Sequence, residues 1–307
     1  MIIDTTTCAP KILDIHGQRG TAWLEALPAL LAECAARWSL TILPPFPDLS
    51  YNYVTPVIGP GGESWVLKAG VPHGELWSEI DALRLFDGRG IARLLDADRA
   101  RGVLLLERVL PGGLLRELAD VDEQIAALSG VLRRLWRPLP DEHPFRTITD
   151  LARGFDRLRA TFDGGYGPFP PERIERAAAL FRELASDGTP AMLIHGDMNP
   201  GNVLRGERDT WLAIDPKGYA GQPYFDVATF LNDPPDDLSA AGLLRLQARR
   251  VAALAEALDA PRDELLAWAE AHAVLSGWWS YEDHGAGWER AMALAEMYET
   301  LRKAPGR

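Results

Sequence analysis

The sequence predicts an α+β protein in two parts, a small β-rich part followed by a larger helical one. Short apolar segments punctuated by Gly and Pro crowd the first third of the chain. Beyond Pro111-Gly112-Gly113 apolar residues recur every three to four positions over long stretches. A polar stretch at 193–226 interrupts that helical pattern with short strands. Strands first and helices afterwards make α+β with two lobes, over residues 1–110 and 111–307, the natural class.

Residues 19–38 carry Trp23, Leu27, Leu30, Leu31, Cys34 and Trp38 on one side at helical spacing, so an amphipathic helix is predicted there. Pro44, Pro45 and Pro47 end any helix. Residues 51–58 and 64–68 read as strands joined by the hairpin turn Gly59-Pro60-Gly61-Gly62. Pro72 opens a helix running to about Phe86, which Gly88 and Gly90 close. A second strand pair is predicted at 92–97 and 102–109. In the second part helices are predicted over 122–136, 148–162, 171–185, 238–258, 262–282 and 286–302, with strands at 192–194 and 211–214. No internal repeat or low-complexity tract is present.

With 307 residues, 47% hydrophobic and 25% charged, the chain has ample material for a globular core. A net charge of −12 excludes the basic footprint of a nucleic-acid binder and suits a cationic partner. Cys8 and Cys34 form neither a metal-ligand spacing nor a disulfide framework. The N-terminus lacks a positive region followed by an apolar run, and stretches such as 22–31 fall short of a membrane span. These features predict a cytoplasmic protein with no membrane partner, and they leave its oligomeric state open.

The chemistry is concentrated in LIHGDMNPGNVLRGERDTWLAIDPKGYAGQPYFD, residues 193–226. His195-Gly196-Asp197 is followed by Asn202, and the apolar segment 211–214 then delivers Asp215. Asp, Asn, strand and Asp in that order are the parts of a phosphoryl-transfer site, where Mg²⁺ and aimed dipoles must offset the charge of the moving group. The combination resembles the aminoglycoside phosphotransferase superfamily, small-molecule kinases with a two-lobed, protein-kinase-like fold. The resemblance implies that Asp197 is the catalytic base, that Asn202 and Asp215 hold Mg²⁺, that His195 braces the loop, and that Asp226 supports it by binding its backbone. The segment Asp215-Pro216-Lys217 has no second acid, which puts most of the metal load on Asp215.

The same resemblance asks for a lysine on a strand of the first lobe to meet the nucleotide phosphates, and Val66-Leu67-Lys68 supplies it. Its acidic partner is expected on the next helix, at Glu79, with Glu75 one turn earlier as the alternative. The glycine-rich phosphate loop common in kinases is missing. The equivalent turn is expected near Asp48-Leu49-Ser50-Tyr51-Asn52, with Ser50 offering a hydroxyl. The strand Leu104-Leu105-Leu106-Glu107-Arg108-Val109 is expected to lead into the hinge, where the Glu107 carbonyl and the Val109 amide would bond adenine. ATP is the expected nucleotide, and GTP is equally compatible with these residues.

Gly20-Thr21-Ala22-Trp23-Leu24-Glu25-Ala26-Leu27-Pro28-Ala29-Leu30 and Trp38 resemble the N-terminal helix of the streptomycin 6-phosphotransferases and their hydroxyurea-kinase relatives. Gly90-Ile91-Ala92-Arg93-Leu94-Leu95-Asp96 and Trp211-Leu212-Ala213-Ile214-Asp215-Pro216 fit that family too, so the resemblance covers about residues 20–300. It implies a cationic aminoglycoside acceptor, streptomycin or a relative, whose guanidinium groups pair well with carboxylates. Asp233, Trp279, Glu282 and Asp283 are the expected acceptor-side residues, although Trp278-Trp279 at a helix end equally suits a core and Glu282-Asp283 a solvated terminus. A metabolic or hydroxyurea-type kinase is the alternative, and a non-catalytic nucleotide-binding protein the third reading.

Overall fold

The computed structural model describes residues 3–47, 49–186 and 188–304, which divide into two compact units, Met1–Leu110 and Pro111–Arg307. In the first unit α1 (Ala9–Trp38) begins with Pro10 in its first turn and is kinked at Gly17, whose φ of 52° and ψ of −127° are not helical. The piece after the kink covers the predicted amphipathic stretch. The piece before it was not predicted, because only Ile12 faces the core while Leu13 and Ile15 remain exposed. Ser39 ends the helix in the left-handed conformation.

Five strands follow: β1 (Thr41–Ile42), β2 (Tyr53–Ile58), β3 (Ser64–Ala69), then α2 (Gly74–Phe86), β4 (Leu94–Asp98) and β5 (Val103–Glu107). They pair antiparallel throughout, in the order β1-β2-β3-β5-β4. Trp23, Leu27, Leu31 and Cys34 of α1 join Tyr53, Val57, Leu67, Ala69, Val103 and Leu105 in one buried cluster. Because side chains alternate along a strand, Leu67 and Ala69 facing α1 put Lys68 on the opposite face. A one-residue slip of β3 would drive the lysine into the apolar cluster, so the hydrophobic pattern itself fixes where Lys68 points.

The second unit opens with β6 (Pro111–Leu114) and a 3₁₀ turn, Leu115–Glu117. Then come α3 (Val121–Leu135), β7 (Arg137–Pro138), β8 (Arg146–Thr147), α4 (Ile148–Leu151), α5 (Arg153–Thr161) and α6 (Pro171–Ala185). The helix predicted over 148–162 is thus two pieces, the first held by a reciprocal capping box of Thr147 and Asp150. After them lie β9 (Met192–Ile194), β10 (Val203–Gly206), β11 (Trp211–Ala213), β12 (Tyr219–Gly221), α7 (Tyr224–Leu231), α8 (Ala240–Leu258), α9 (Arg262–His284) and α10 (Trp288–Lys303). The strands form two small sheets, ordered β11-β10-β6 and β7-β9-β12-β8. Neither β10, β12 nor α7 was predicted. Segments of three to eight residues show too little periodicity to be read.

Helix α9 is the axis of this unit. Every residue from Leu265 to Leu275 is buried, as suits a helix packed on several sides, and α6, α7 and α10 lie against it. Trp268, Phe181 and Phe225 meet edge to face at its centre, with ring centroids 5.2–6.2 Å apart. No helix among the described residues is long and apolar enough to cross a membrane.

Leu27 is fully buried between α1 and the sheet that carries Lys68. Leu27→Ala is expected to destabilise the protein by about 3 kcal/mol, the usual size of such a core truncation. The urea midpoint measures it.

Candidate active site

Strand β9 ends at Ile194, opposite Tyr219 of β12, and the chain turns at once through His195-Gly196-Asp197. Gly196 has a φ of 82°, and a Cβ there would lie 2.4 Å from the Tyr219 ring, so only glycine fits. Beneath the turn lies Asp226, in the first turn of α7 and fully buried. Its Oδ1 accepts from the Gly196 amide at 2.7 Å. Its Oδ2 accepts from the His195 amide and the Trp136 indole, both at 3.0 Å. Burial raises the Asp226 carboxyl above its ordinary value, and the His195 side chain with these three N–H donors works against that rise. Thr229, one turn further along α7, accepts from the Met198 amide at 2.8 Å and donates to the Asp226 carbonyl.

His195 has no exposed surface and links the two chemical strands of the site. Its Nδ1 faces the Asp197 amide at 3.2 Å, and an amide can only donate, so the ring proton sits on Nε2 and goes to the Ile214 carbonyl at 2.8 Å. Its own carbonyl accepts from Lys217 and Gly218. The segment around Asp215 is therefore stitched to the loop that carries Asp197.

The register of β10 and β11 pairs Val203 with Ala213, and the next residues outward are Asn202 and Ile214, joined by an amide-to-carbonyl bond of 2.9 Å. Asn202 and Asp215 thus leave the same end of one ladder. Asp215 holds a φ of 58°, an unusual backbone conformation for a non-glycine residue. The Asn202 amide nitrogen donates to the Asp197 carbonyl at 2.8 Å, so its Oδ1 is the end of the amide left to accept. One carboxylate and one amide oxygen suit Mg²⁺, which keeps waters and phosphate oxygens as its other ligands. Among the described residues no group of three or more His, Cys, Asp or Glu could hold a metal, and Mg²⁺ needs no such cage.

Asn199 orients Asp197 directly. Its Nδ2 donates to Asp197 Oδ1 at 3.0 Å, while its Oδ1 accepts from the Gly201 amide at 2.9 Å. Arg116 lies over this corner, 3.5 Å from Asn199 Oδ1 and where a Cβ on Gly201 would sit. Asp233 is 3.8 Å from the same guanidinium, and both side chains are about half exposed.

On α9, His272 has its Nδ1 2.9 Å from Asn232 Nδ2, its ring packed against Phe225 and Trp279, and Asp197 as the charge that reaches it. Trp278 is buried against Phe162, Phe169 and Tyr281 and belongs to the core, whereas Trp279 is only partly buried. Glu282 is already engaged within the chain. Arg157 of α5 binds both its carboxylate oxygens, at 2.7 and 2.9 Å, so the guanidinium it receives comes from within the chain. Asp283 is exposed beyond it.

In the first unit Lys68 Nζ lies 2.7 Å from Glu79 Oε1, with both side chains almost wholly buried. Glu75, an exposed residue one turn earlier, is not the partner in this pair. Strand β5 stops at Glu107, so Val109 lies past the strand in which it was expected, though still buried. The Glu107 side chain accepts from the Arg93 amide at 2.9 Å. Ser50 is exposed in the loop before β2, and Asp48, also part of the expected phosphate turn, lies outside the described residues.

The profile of the aminoglycoside/hydroxyurea antibiotic resistance kinase family matches residues 37–284. The chain belongs to that family. It is 33% identical to the streptomycin 6-kinase of Streptomyces glaucescens, over 91% of this chain and 92% of that one. It is 34% identical to the hydroxyurea phosphotransferase of Kitasatospora aureofaciens, over 92% of this chain and 81% of that one. Among solved structures, a choline/ethanolamine kinase family protein from Mesorhizobium loti has the same fold. Its TM-score is 0.65 at 15% identity, covering 92% of this chain and 96% of that one. The protein is thus a phosphotransferase with a hydroxyl group as acceptor, built on the kinase-like fold.

Several residues of this kinase site were not found by sequence reasoning. Trp136, Asn199, Thr229 and Arg116 act through contacts that no local pattern announces, and His272 reads as one more core position of an apolar helix. Asn199 alone left a signal, since it sits two residues from Asp197 at the spacing at which Asn bonds its neighbours' backbone.

Asp226→Asn places an amide N–H where two donors now point, so kcat is expected to fall at least about tenfold and thermal stability to drop. Steady-state kinetics and a melting curve measure both. Burial holds the His272 imidazole down to about 4, so the unfolded chain binds its proton more readily between about pH 4 and 6.5. Native stability therefore rises with pH across that window, by up to about 3 kcal/mol from this group. The slope of the urea midpoint against pH should flatten in His272→Phe.

Proposed function

We propose that this kinase transfers the γ-phosphoryl group of ATP, with Mg²⁺, to a hydroxyl of streptomycin or a closely related cationic aminoglycoside. The observation that carries the reading is the loop in which Asp226 fixes Gly196, Asn199 fixes Asp197, and Asn202 and Asp215 leave one ladder end. Asn199 occupies Asp197 Oδ1, which leaves Oδ2 to accept the proton of the attacking hydroxyl. Asn202 and Asp215 would hold Mg²⁺, which when bound neutralises charge on the phosphates. Lys68, held in place by Glu79, serves the nucleotide phosphates, and the His195 ring keeps the Asp197 and Asp215 segments in register.

The aminoglycoside reading is supported by the relatives and by the carboxylates of the second unit. Asp233, Asp236 and Glu282 each already face a guanidinium, from Arg116, Arg290 and Arg157. Such surface pairs are individually weak, so a guanidinium-bearing acceptor can compete for them. Asp233, held at only 3.8 Å, is more exchangeable than Glu282, which is bound at 2.7 Å. Hydroxyurea is the second reading, favoured by the relative that acts on it.

Coupled ADP release over streptomycin, hydroxyurea and choline decides among acceptors. Turnover with streptomycin above the others is expected, and streptomycin left inert while another alcohol reacts would remove the proposal. Asp197→Asn should lower kcat by about 10²–10⁴ while leaving nucleotide affinity unchanged. Wild-type turnover in that variant would strip Asp197 of its role.

A further inference from the structure

His272 is a buried imidazole for which the phosphoryl-transfer chemistry has so far given no use, and its hydrogen bonding fixes what it offers. The Asn232 amide nitrogen faces two acceptors, the Ala269 carbonyl at 3.0 Å and His272 Nδ1 at 2.9 Å. An NH₂ group has one hydrogen for each, so Nδ1 presents its lone pair and the ring proton sits on Nε2. Among the described residues no group accepts from Nε2, and Nε2 is not one of the buried polar atoms left without a partner. The 7% of the residue that remains exposed therefore includes that nitrogen. Phe225 at 5.2 Å and Trp279 at 6.1 Å clamp the ring edge to face and fix its direction.

A rigid N–H donor thus opens to solvent on a ring packed against Phe225, which directly precedes the Asp226 that pins the turn before the proposed base. On the reacting oxygen such a donor would be counterproductive, because a hydrogen bond donated to the attacking atom withdraws electron density from it and weakens the nucleophile. Its useful target is an oxygen on the atom next to the one bearing the reacting hydroxyl.

We infer that His272 contacts the acceptor and determines specificity, donating Nε2–H to an oxygen neighbouring the hydroxyl that Asp197 deprotonates. The inference rests on the reading of Asp197 as base, and it holds for either proposed acceptor. A cyclitol presents hydroxyls on adjacent carbons, and hydroxyurea presents a carbonyl next to its N–OH. An amino alcohol such as choline presents a cationic nitrogen there and gains nothing from the donor. The ring is uncharged at neutral pH, so it places no positive charge beside a cationic acceptor.

The test compares wild type, His272→Phe and His272→Gln with three acceptors: streptomycin, a deoxy analogue lacking the hydroxyl adjacent to the phosphorylated one, and hydroxyurea. The KM for ATP and the melting temperature are recorded alongside. In His272→Phe, kcat/KM for streptomycin should fall about tenfold, the weight of one net hydrogen bond, while the deoxy analogue loses little and the KM for ATP stays put. His272→Gln, which restores an N–H donor, should recover part of the loss. Equal losses for streptomycin and its deoxy analogue would mean a packing role and overturn the inference, as would no loss at all. Failure of the aminoglycoside reading looks different. Wild type would then be inert toward streptomycin but active on hydroxyurea, and the same fall in His272→Phe would be read there.

Discussion

A carboxylate with no solvent around it must draw every hydrogen bond from the protein, and Asp226 draws two of its own from the backbone of the turn that leads to Asp197. Both its oxygens are engaged by the consecutive amides of His195 and Gly196, with Trp136 reaching in from beyond the end of α3. The cost of burying the charge is offset only while all three donors keep their places. The glycine turn cannot relax without stranding that carboxylate, so the position of Asp197 is fixed by the energetics of a residue that need never touch substrate. Positions further out depend on it in turn: His195 ties the turn to Ile214, and Ile214 precedes Asp215.

The same economy recurs elsewhere. Asn199 and Asn202 each use one end of the amide to hold the Asp197 segment and leave the other for a different task. In the first unit Lys68 is held by a buried acid, and the alternation of β3 keeps it off the apolar face. Polar groups in these places are satisfied locally, so under the proposed roles the reacting atoms would be presented without reorganisation, which is where electrostatic catalysis gains most.

The parts of this arrangement that were legible in the sequence were those encoded by order and period. Asp, Asn, short strand and Asp announced the chemistry, and the apolar alternation around Lys68 announced a strand. What stayed hidden depends on three-dimensional partners. Glu79 was expected ahead of Glu75, and the packing of α2 adds what the sequence left open, burying Glu79 against Lys68 while Glu75 stays exposed. Trp278 and Trp279 are adjacent, yet the roughly 100° step of a helix sends one into the core and leaves the other at its margin. Glu282 looked like an acid awaiting a cationic ligand, but Arg157 is 125 positions away in sequence and no local reading could place it there. The kink at Gly17 and the strands β10 and β12 were too short or too irregular for periodicity to reveal.

The central claim is that the pinned loop delivers phosphate to an aminoglycoside hydroxyl. It is tested most directly by incubating the protein with Mg²⁺, isotopically labelled ATP and streptomycin, then locating the label in the product by mass spectrometry and phosphorus NMR. A single phosphoryl group in ester linkage to a streptidine hydroxyl is the predicted result. ADP formed with the streptomycin unmodified, or label carried elsewhere than on a hydroxyl oxygen, would contradict it.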